Sequence, residues 1–311
     1  MKNIAAKKKV AKGDPNCLNS KLIRRPIQRC FPLFLLPTFA AFIIGFLVPF
    51  VWGIYLSFCK FNTPRDATFV GFANYLKIFK DPGFINAFKN TAMVAVVSVV
   101  VINVIAFAVA YALTQKVKGA NIFRTVFFMP NLIGGVVLGY IWKMIFDGIL
   151  SAYSTYLTAN ATYGFWGLII LLGWQQIGYM MIIYIAGLQA VPGDMLEAAT
   201  IDGANRWQTL WKVIIPNVMP SITICVFLTL TNSFKLYDQN MALTGGAPAI
   251  TMATGEQIKA TEMLALNILN TYNIGKNWHG VAQAKAVIFF ILVAVLALAQ
   301  LRFTRSKEVQ Q

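Results

Sequence analysis

The sequence predicts an all-α integral membrane protein of about six transmembrane helices, and three observations carry that prediction. The 311 residues are 58% hydrophobic and only 12% charged, with a mean hydropathy of +0.63. A soluble domain of this length carries about 25% charged residues, so a water-facing surface cannot be built here. Six apolar stretches are long enough to cross ~30 Å of hydrocarbon as helices, the form in which each segment satisfies its own backbone. Finally, much of the net charge of +16 sits in the first thirty residues, directly ahead of the first apolar stretch.

Residues 1–30 form a basic tail holding Lys2, Lys7, Lys8, Lys9, Lys12, Lys21, Arg24, Arg25 and Arg29. No nucleic-acid-binding motif accompanies these charges, so no nucleic acid is expected, and a cytoplasmic membrane flank accounts for them. The apolar run beginning at Phe31 is far longer than the ~7–15 residues of a signal-peptide core, which argues against a cleaved leader. The membrane domain then runs over 31–303, with spans predicted at 31–57, 91–114, 124–146, 164–189, 218–237 and 284–303. Pro49 and Pro130 fall inside or near span ends. The segments from Phe58 to Lys89 and from Asp238 to Gln283 read as long loops with room for short helices. A short C-terminal tail, 304–311, ends the chain. Cys17, Cys30, Cys59 and Cys225 have no metal-like spacing, and no disulfide framework is read into them.

Lys and Arg set the orientation. With the N-terminus inside, the tail, the connection holding Lys116, Lys118 and Arg124, the loop with Arg206 and Lys212, and Arg302, Arg305 and Lys307 are all cytoplasmic. The Asp147–Tyr163 connection has no basic residue and faces outside. The first long loop is an exception, with Lys60, Arg65, Lys77, Lys80 and Lys89, but its length weakens its vote. Both termini are therefore expected in the cytoplasm of a multi-pass protein of a bacterial plasma membrane.

Some chemistry is missing. Ion-coupled carriers keep a carboxylate at mid-membrane and commonly show an internal repeat. The predicted spans have no Asp or Glu near their centres, and no repeat is visible. No Gly-x-x-x-x-Gly-Lys-Ser/Thr loop is present to hold ATP. A lone His279, placed in a loop, makes no catalytic constellation, so neither an enzyme nor a metal site is expected. Transport by this chain must draw its energy from a partner.

The loop between the fourth and fifth spans, 191–217, is the most unusual segment. Pro192 and Asp194 are helix-start signals, with Asp194 placed to cap exposed N–H groups. Gly203 permits a left-handed turn, after which the helical pattern resumes until Pro216. On periodicity alone this is as well read as an amphipathic connector resting on the membrane. Yet Glu197-Ala198-Ala199, then Asp202-Gly203, then Val213-Ile214-Ile215-Pro216 resembles the EAA loop of binding-protein-dependent ABC importer permeases, whose usual ending is Ile-x-Leu-Pro. Phe69-Val70-Gly71-Phe72-Ala73-Asn74-Tyr75, Phe128-Met129-Pro130 with Trp142, and Leu243-Thr244-Gly245-Gly246-Ala247-Pro248 are similar to segments of maltose-type sugar permeases. They resemble the first member of a two-permease pair.

The resemblance implies a function. Glu197, Ala198, Ala199, Asp202, Gly203 and Pro216 would form the coupling element that docks on a separate ATPase. The chain itself would need no cofactor, ATP-Mg being used by that partner. Implied partners are a second homologous permease, a dimer of cytoplasmic ATPase subunits, an extracytoplasmic sugar-binding protein, the sugar, and membrane lipid. Gln175, Gln176 and Tyr179 on the fourth span and Thr229, Asn232 and Ser233 on the fifth are candidates for the sugar path, because amides, hydroxyls and ring faces suit a polyol. Aligned without gaps from Glu197, Tyr179 coincides with a sugar-contacting tyrosine of the maltose permease and Thr229 with a serine. Polar residues of membrane helices also bond to neighbouring helices, so packing is the competing role. A permease for a non-sugar solute such as glycerol phosphate is the alternative.

Overall fold

The computed structural model describes residues 31, 33, 35–115, 117–252, 255–275 and 277–305. The basic tail 1–30, Lys116 and the end of the C-terminal tail lie outside the described residues. Two compact units divide at Tyr55/Leu56. The first contains most of helix α1 (Leu35–Ser57). It carries a π-turn at Ile43–Leu47 and a run of stacked rings, Phe42–Phe46 at 5.3 Å and Phe46–Phe50 at 5.8 Å.

In the second unit come α2 (Ala73–Lys80), α3 (Pro82–Thr114), the bent pair α4 (Ala120–Leu132) and α5 (Gly135–Ser151), and α6 (Ala161–Gln189). Then follow α7 (Gly193–Ile201), α8 (Arg206–Phe234), α9 (Asp238–Leu243), α10 (Leu264–Asn273) and α11 (His279–Arg305). Among the described residues, α1, α3, α6, α8 and α11 are each long and apolar enough to span, and the α4–α5 pair makes a sixth candidate.

The third span departs from expectation. In place of one helix over 124–146, α4 and α5 meet at an angle of 101°. Pro130 lacks an N–H to continue the ladder, and Gly134 is extended (φ −61°, ψ 140°) where it caps α5. The bend lets α4 lie directly on α6: a Cβ at Gly178 would meet the Phe127 carbonyl oxygen at 1.8 Å. α5 lies instead on α9, where a Cβ at Gly139 would meet Ala242 Cβ at 2.5 Å.

The second span begins nine residues earlier than the apolar run suggests, at Pro82. Asp81 accepts the Gly83 N–H (2.9 Å) and Pro82 fills the first turn, where no N–H is needed. The fifth begins at Arg206, twelve residues before the apolar run at Val218, and the sixth at His279, which therefore starts a helix rather than lying in a loop.

Helices α3 and α6 run parallel. Their first turns share a cavity of about 270 Å³ lined by Asn90, Met93, Thr162 and Phe165, and deeper in Tyr184 Oη donates to Asn103 Oδ1 (2.7 Å). α8 returns antiparallel, with Arg206 beside Tyr111 near the end of α3 and Cys225 Sγ against the Met180 carbonyl (3.7 Å). The core between them holds Val94, Ile102, Leu168, Leu172, Met181 and Val218.

The two long loops are structured. The first has a two-residue ladder, β1 (Cys59–Lys60) with β2 (Thr68–Phe69), closed by Asp66. Its carboxylate accepts the N–H of Thr63 (2.8 Å) and of Asn62 (3.1 Å), and these bonds hold its pKa below the usual value. The second carries α9, a hairpin of β3 (Ala249–Thr251) and β4 (Gln257–Lys259), and α10.

Candidate functional site

Two features at different levels of the second unit account for the sequence candidates. The first is the turn between α6 and α8. Pro192 (ψ 132°) occupies the N-cap position of α7 and makes no side-chain bond to the helix. Asp194 is therefore not the cap. It lies in the first turn, where a carboxylate still favours the positive end of the helix dipole.

Helix α7 ends in a Schellman motif. The Ala204 N–H reaches the Ala199 carbonyl (2.9 Å) and the Gly203 N–H reaches that of Thr200 (3.1 Å), with Gly203 at φ +75°. Ala199 is buried and Leu196 packs on the core, which anchors one side of the helix. Glu197, Ala198, Asp202 and Gly203 are exposed on the other, along with Met195 and Ile201. A Cβ on Gly203 would meet nothing within 4 Å.

The next helix starts with a capping box that the sequence reading passed over: Gln208 N–H to Asn205 Oδ1 (2.8 Å) and Asn205 N–H to Gln208 Oε1 (2.9 Å). Its signal, Asn-x-x-Gln, stands plainly in the chain. Pro216 does not end this helix, contrary to expectation. A π-turn at Leu210–Ile214 shifts the ladder by one residue, with Ile215 N–H bonding Leu210 O, and the helix passes through the proline to Phe234.

The second feature is a polar recess of about 220 Å³ where α6 meets α8, α9 and the α4–α5 bend. Asn131, Gln175, Gln176, Asn232, Lys235, Asp238 and Gln239 line it. Gln239 Nε2 donates to Gln175 Oε1 (2.9 Å), Asn232 Nδ2 to Gln176 Oε1 (3.5 Å) and Gln175 Nε2 to the Ile133 carbonyl (3.4 Å). Three of the six path candidates thus meet here.

The other three do not line the recess. Tyr179, a turn further along α6, is half-buried against the core. Thr229 donates to the Cys225 carbonyl (2.8 Å) and accepts from Asn103 (3.3 Å), while Ser233 donates to the Thr229 carbonyl (2.8 Å). Both hydroxyls are fully buried and donate within their own helix, and Thr229 is also reached from α3 by Asn103. Asn131 escaped the sequence reading because it lies at the bend, Lys235 because it sits at the end of the predicted fifth span, and Asp238 and Gln239 because they open a segment taken for a loop.

Comparison with known proteins places this geometry. A family model for the binding-protein-dependent transport system inner membrane component matches residues 104–308. The chain is 42% identical over 287 residues to the probable starch degradation products transport system permease protein AmyD of Thermoanaerobacterium thermosulfurigenes, covering 89% of this chain and 94% of that one. It is 30% identical to the multiple sugar-binding transport system permease protein MsmF of Streptococcus mutans, covering 86% and 92%. Among solved structures, a bacterial ABC transporter that imports the acidic polysaccharide alginate superposes with a TM-score of 0.74 at 19% identity, over 91% of this chain and 98% of that one.

Proposed function

We propose, from the fact that this chain belongs to the family of binding-protein-dependent transport system inner membrane components, that it forms the translocation path for a di- or oligosaccharide delivered by an external binding protein. It is a multi-pass permease subunit of a sugar-transporting ABC importer, a transport component and not an enzyme. A binding protein and an ATPase work with it. The finer assembly proposed is one second homologous permease and a dimer of ATPase subunits that bind ATP-Mg, with this chain's termini and α7 on the cytoplasmic side.

One observation carries the reading: α7 stands exposed at the turn between two spans, fixed by a glycine in the left-handed region. Such a short helix suits a groove on a soluble partner, because its inner side is held by Leu196 and Ala199 while Glu197, Ala198, Asp202 and Gly203 are free to be covered. Closure of an ATPase dimer on ATP would shift α7, and the adjoining α6 and α8 would carry that shift toward the recess. The work comes from the higher affinity of ATP for the closed state.

Gly203→Asp tests the coupling. Because a Cβ at Gly203 meets nothing within this chain, the substitution costs only the ~1–2 kcal/mol of a left-handed residue locally, and membrane levels should be normal. ATPase co-purification and labelled-sugar uptake should both be lost. Glu197→Ala should weaken the same association more mildly. Normal pull-down and uptake with Gly203→Asp would reduce the turn to a connector.

A further inference from the structure

The basic first loop breaks the charge pattern that orients the chain, and α2 within it carries a second anomaly. Phe69, Phe72, Leu76 and Phe79 are each 64–69% exposed. Phe69 belongs to β2 and Phe72 is the N-cap of α2; from Phe72 the spacing of four and three residues sets Leu76 and Phe79 on the same side of a helix that turns about 100° per residue. The opposite side is fully engaged. Asn74 Nδ2 donates to the carbonyls of Ser57 and Cys59 (both 2.9 Å), Tyr75 Oη meets Ser57 Oγ at 2.7 Å, and Ile78 is buried against Val281 and Ala284 of α11. Lys77 and Lys80 occupy the remaining arc, exposed beside the apolar one. The apolar face is therefore not a core face that has lost its partner. Phe72 meets the Phe58 ring edge-on (5.3 Å) and Phe69 stacks on it at 6.5 Å, yet both stay mostly exposed, as do Leu76 and Phe79.

We infer that α2 is an interfacial helix that inserts Phe72, Leu76 and Phe79, together with Phe69 of β2, into the lipid surface and sets Lys77 and Lys80 at the phosphate level. Its level in the fold supports this occupant. The bonds of Asn74 tie it to Ser57, the last residue of α1, while Pro82 opens α3 one residue after Asp81, and α11 begins at His279 beside Asn62 (2.9 Å). Helices α3 and α11 thus both begin at the level of α2. Apolar exposure continues onto the first turns of α3 at Ile85 and Phe88, as expected of one lipid-facing band. An apolar arc with lysines along its rim is the pattern of helices lying in the headgroup boundary. On the orientation proposed above this is the outer leaflet, and the lysines of this loop are there to meet phosphates rather than to orient the chain.

The test uses the assembled complex in phosphatidylcholine liposomes, with Cys17 and Cys30 replaced by serine. Cys59 and Cys225 are buried. An environment-sensitive fluorophore is attached through Leu76→Cys and, separately, Phe79→Cys. Both labels should lose most of their emission to a nitroxide near the headgroup end of the acyl chain and little to aqueous iodide. A nitroxide on phosphatidylglycerol should quench preferentially, and Lys77→Gln and Lys80→Gln should each cut that preference about fivefold. Quenching by iodide and not by lipid would overturn the inference. Shielding from both quenchers would equally overturn it, by assigning the face to a protein partner. The result does not depend on whether Gly203→Asp uncouples the ATPase.

Discussion

Two polar clusters lie within the helices, and they are satisfied in opposite ways. Around Lys285, which is 1% exposed, every donor has a partner: Asp81 Oδ2 at 2.6 Å, Thr271 Oγ1 at 2.7 Å and Asn267 Oδ1 at 2.8 Å. Asn267 passes the chain on to Glu262 (2.7 Å), which Asn270 also reaches. In the recess the groups are mostly neutral amides, and two of their three bonds are stretched to 3.4 and 3.5 Å, near the limit of a hydrogen bond. A buried ammonium saturated in this way has nothing left to offer a ligand, and it pins α3, α10 and α11 together. Loosely paired amides keep spare donors and acceptors, which under the function proposed above would be taken up by sugar hydroxyls. Polarity inside this protein therefore has two meanings, and bond geometry tells them apart.

The sharpest way to break that comparison is Lys285→Ala. It leaves Asp81 without its cation, and breaking a buried pair costs about 3–5 kcal/mol. The purified complex should melt well below wild type, and an unchanged melting curve would remove the pin. The smallest effect is expected at Thr229→Val, since that hydroxyl donates to the backbone of its own helix and accepts only a 3.3 Å bond from Asn103, whose amide keeps the Val99 carbonyl (2.8 Å). Stability should change by about 1 kcal/mol and sugar uptake should keep its wild-type KM. A raised KM would move Thr229 back into the sugar path.

What was legible in the sequence was whatever is decided locally. Apolar length located five long apolar helices and the bent pair, because lipid leaves a backbone no alternative to a helix. Gly203 announced its left-handed turn through its neighbours in the chain. The helix starts were missed where polar residues extend a span beyond the apolar run, although Asp81-Pro82 and Asn205-x-x-Gln208 were both readable signals. The bend at Pro130 to Gly134 was not readable, because a proline near a span end is also compatible with a mild kink. Its angle depends on Gly178 and Gly139 admitting backbone and side chains from elsewhere. The recess has the same character. Gln175, Gln176 and Asn232 were picked for their type, but Gln239 joins them only because α9 folds back onto α5 and α6. Thr229 and Ser233 looked equivalent to the amides in sequence and differ from them only in what they bond.

The most direct test of the central proposal, that the loosely bonded amides of α6 and α8 serve the sugar, is labelled-oligosaccharide uptake by Asn232→Ala and Gln176→Ala complexes. Losing a hydrogen bond that the substrate uses costs ~1–3 kcal/mol, so uptake should fall about tenfold or more while the complexes assemble and melt as wild type does. Wild-type uptake kinetics in both variants would contradict the account and leave these residues a packing role alone.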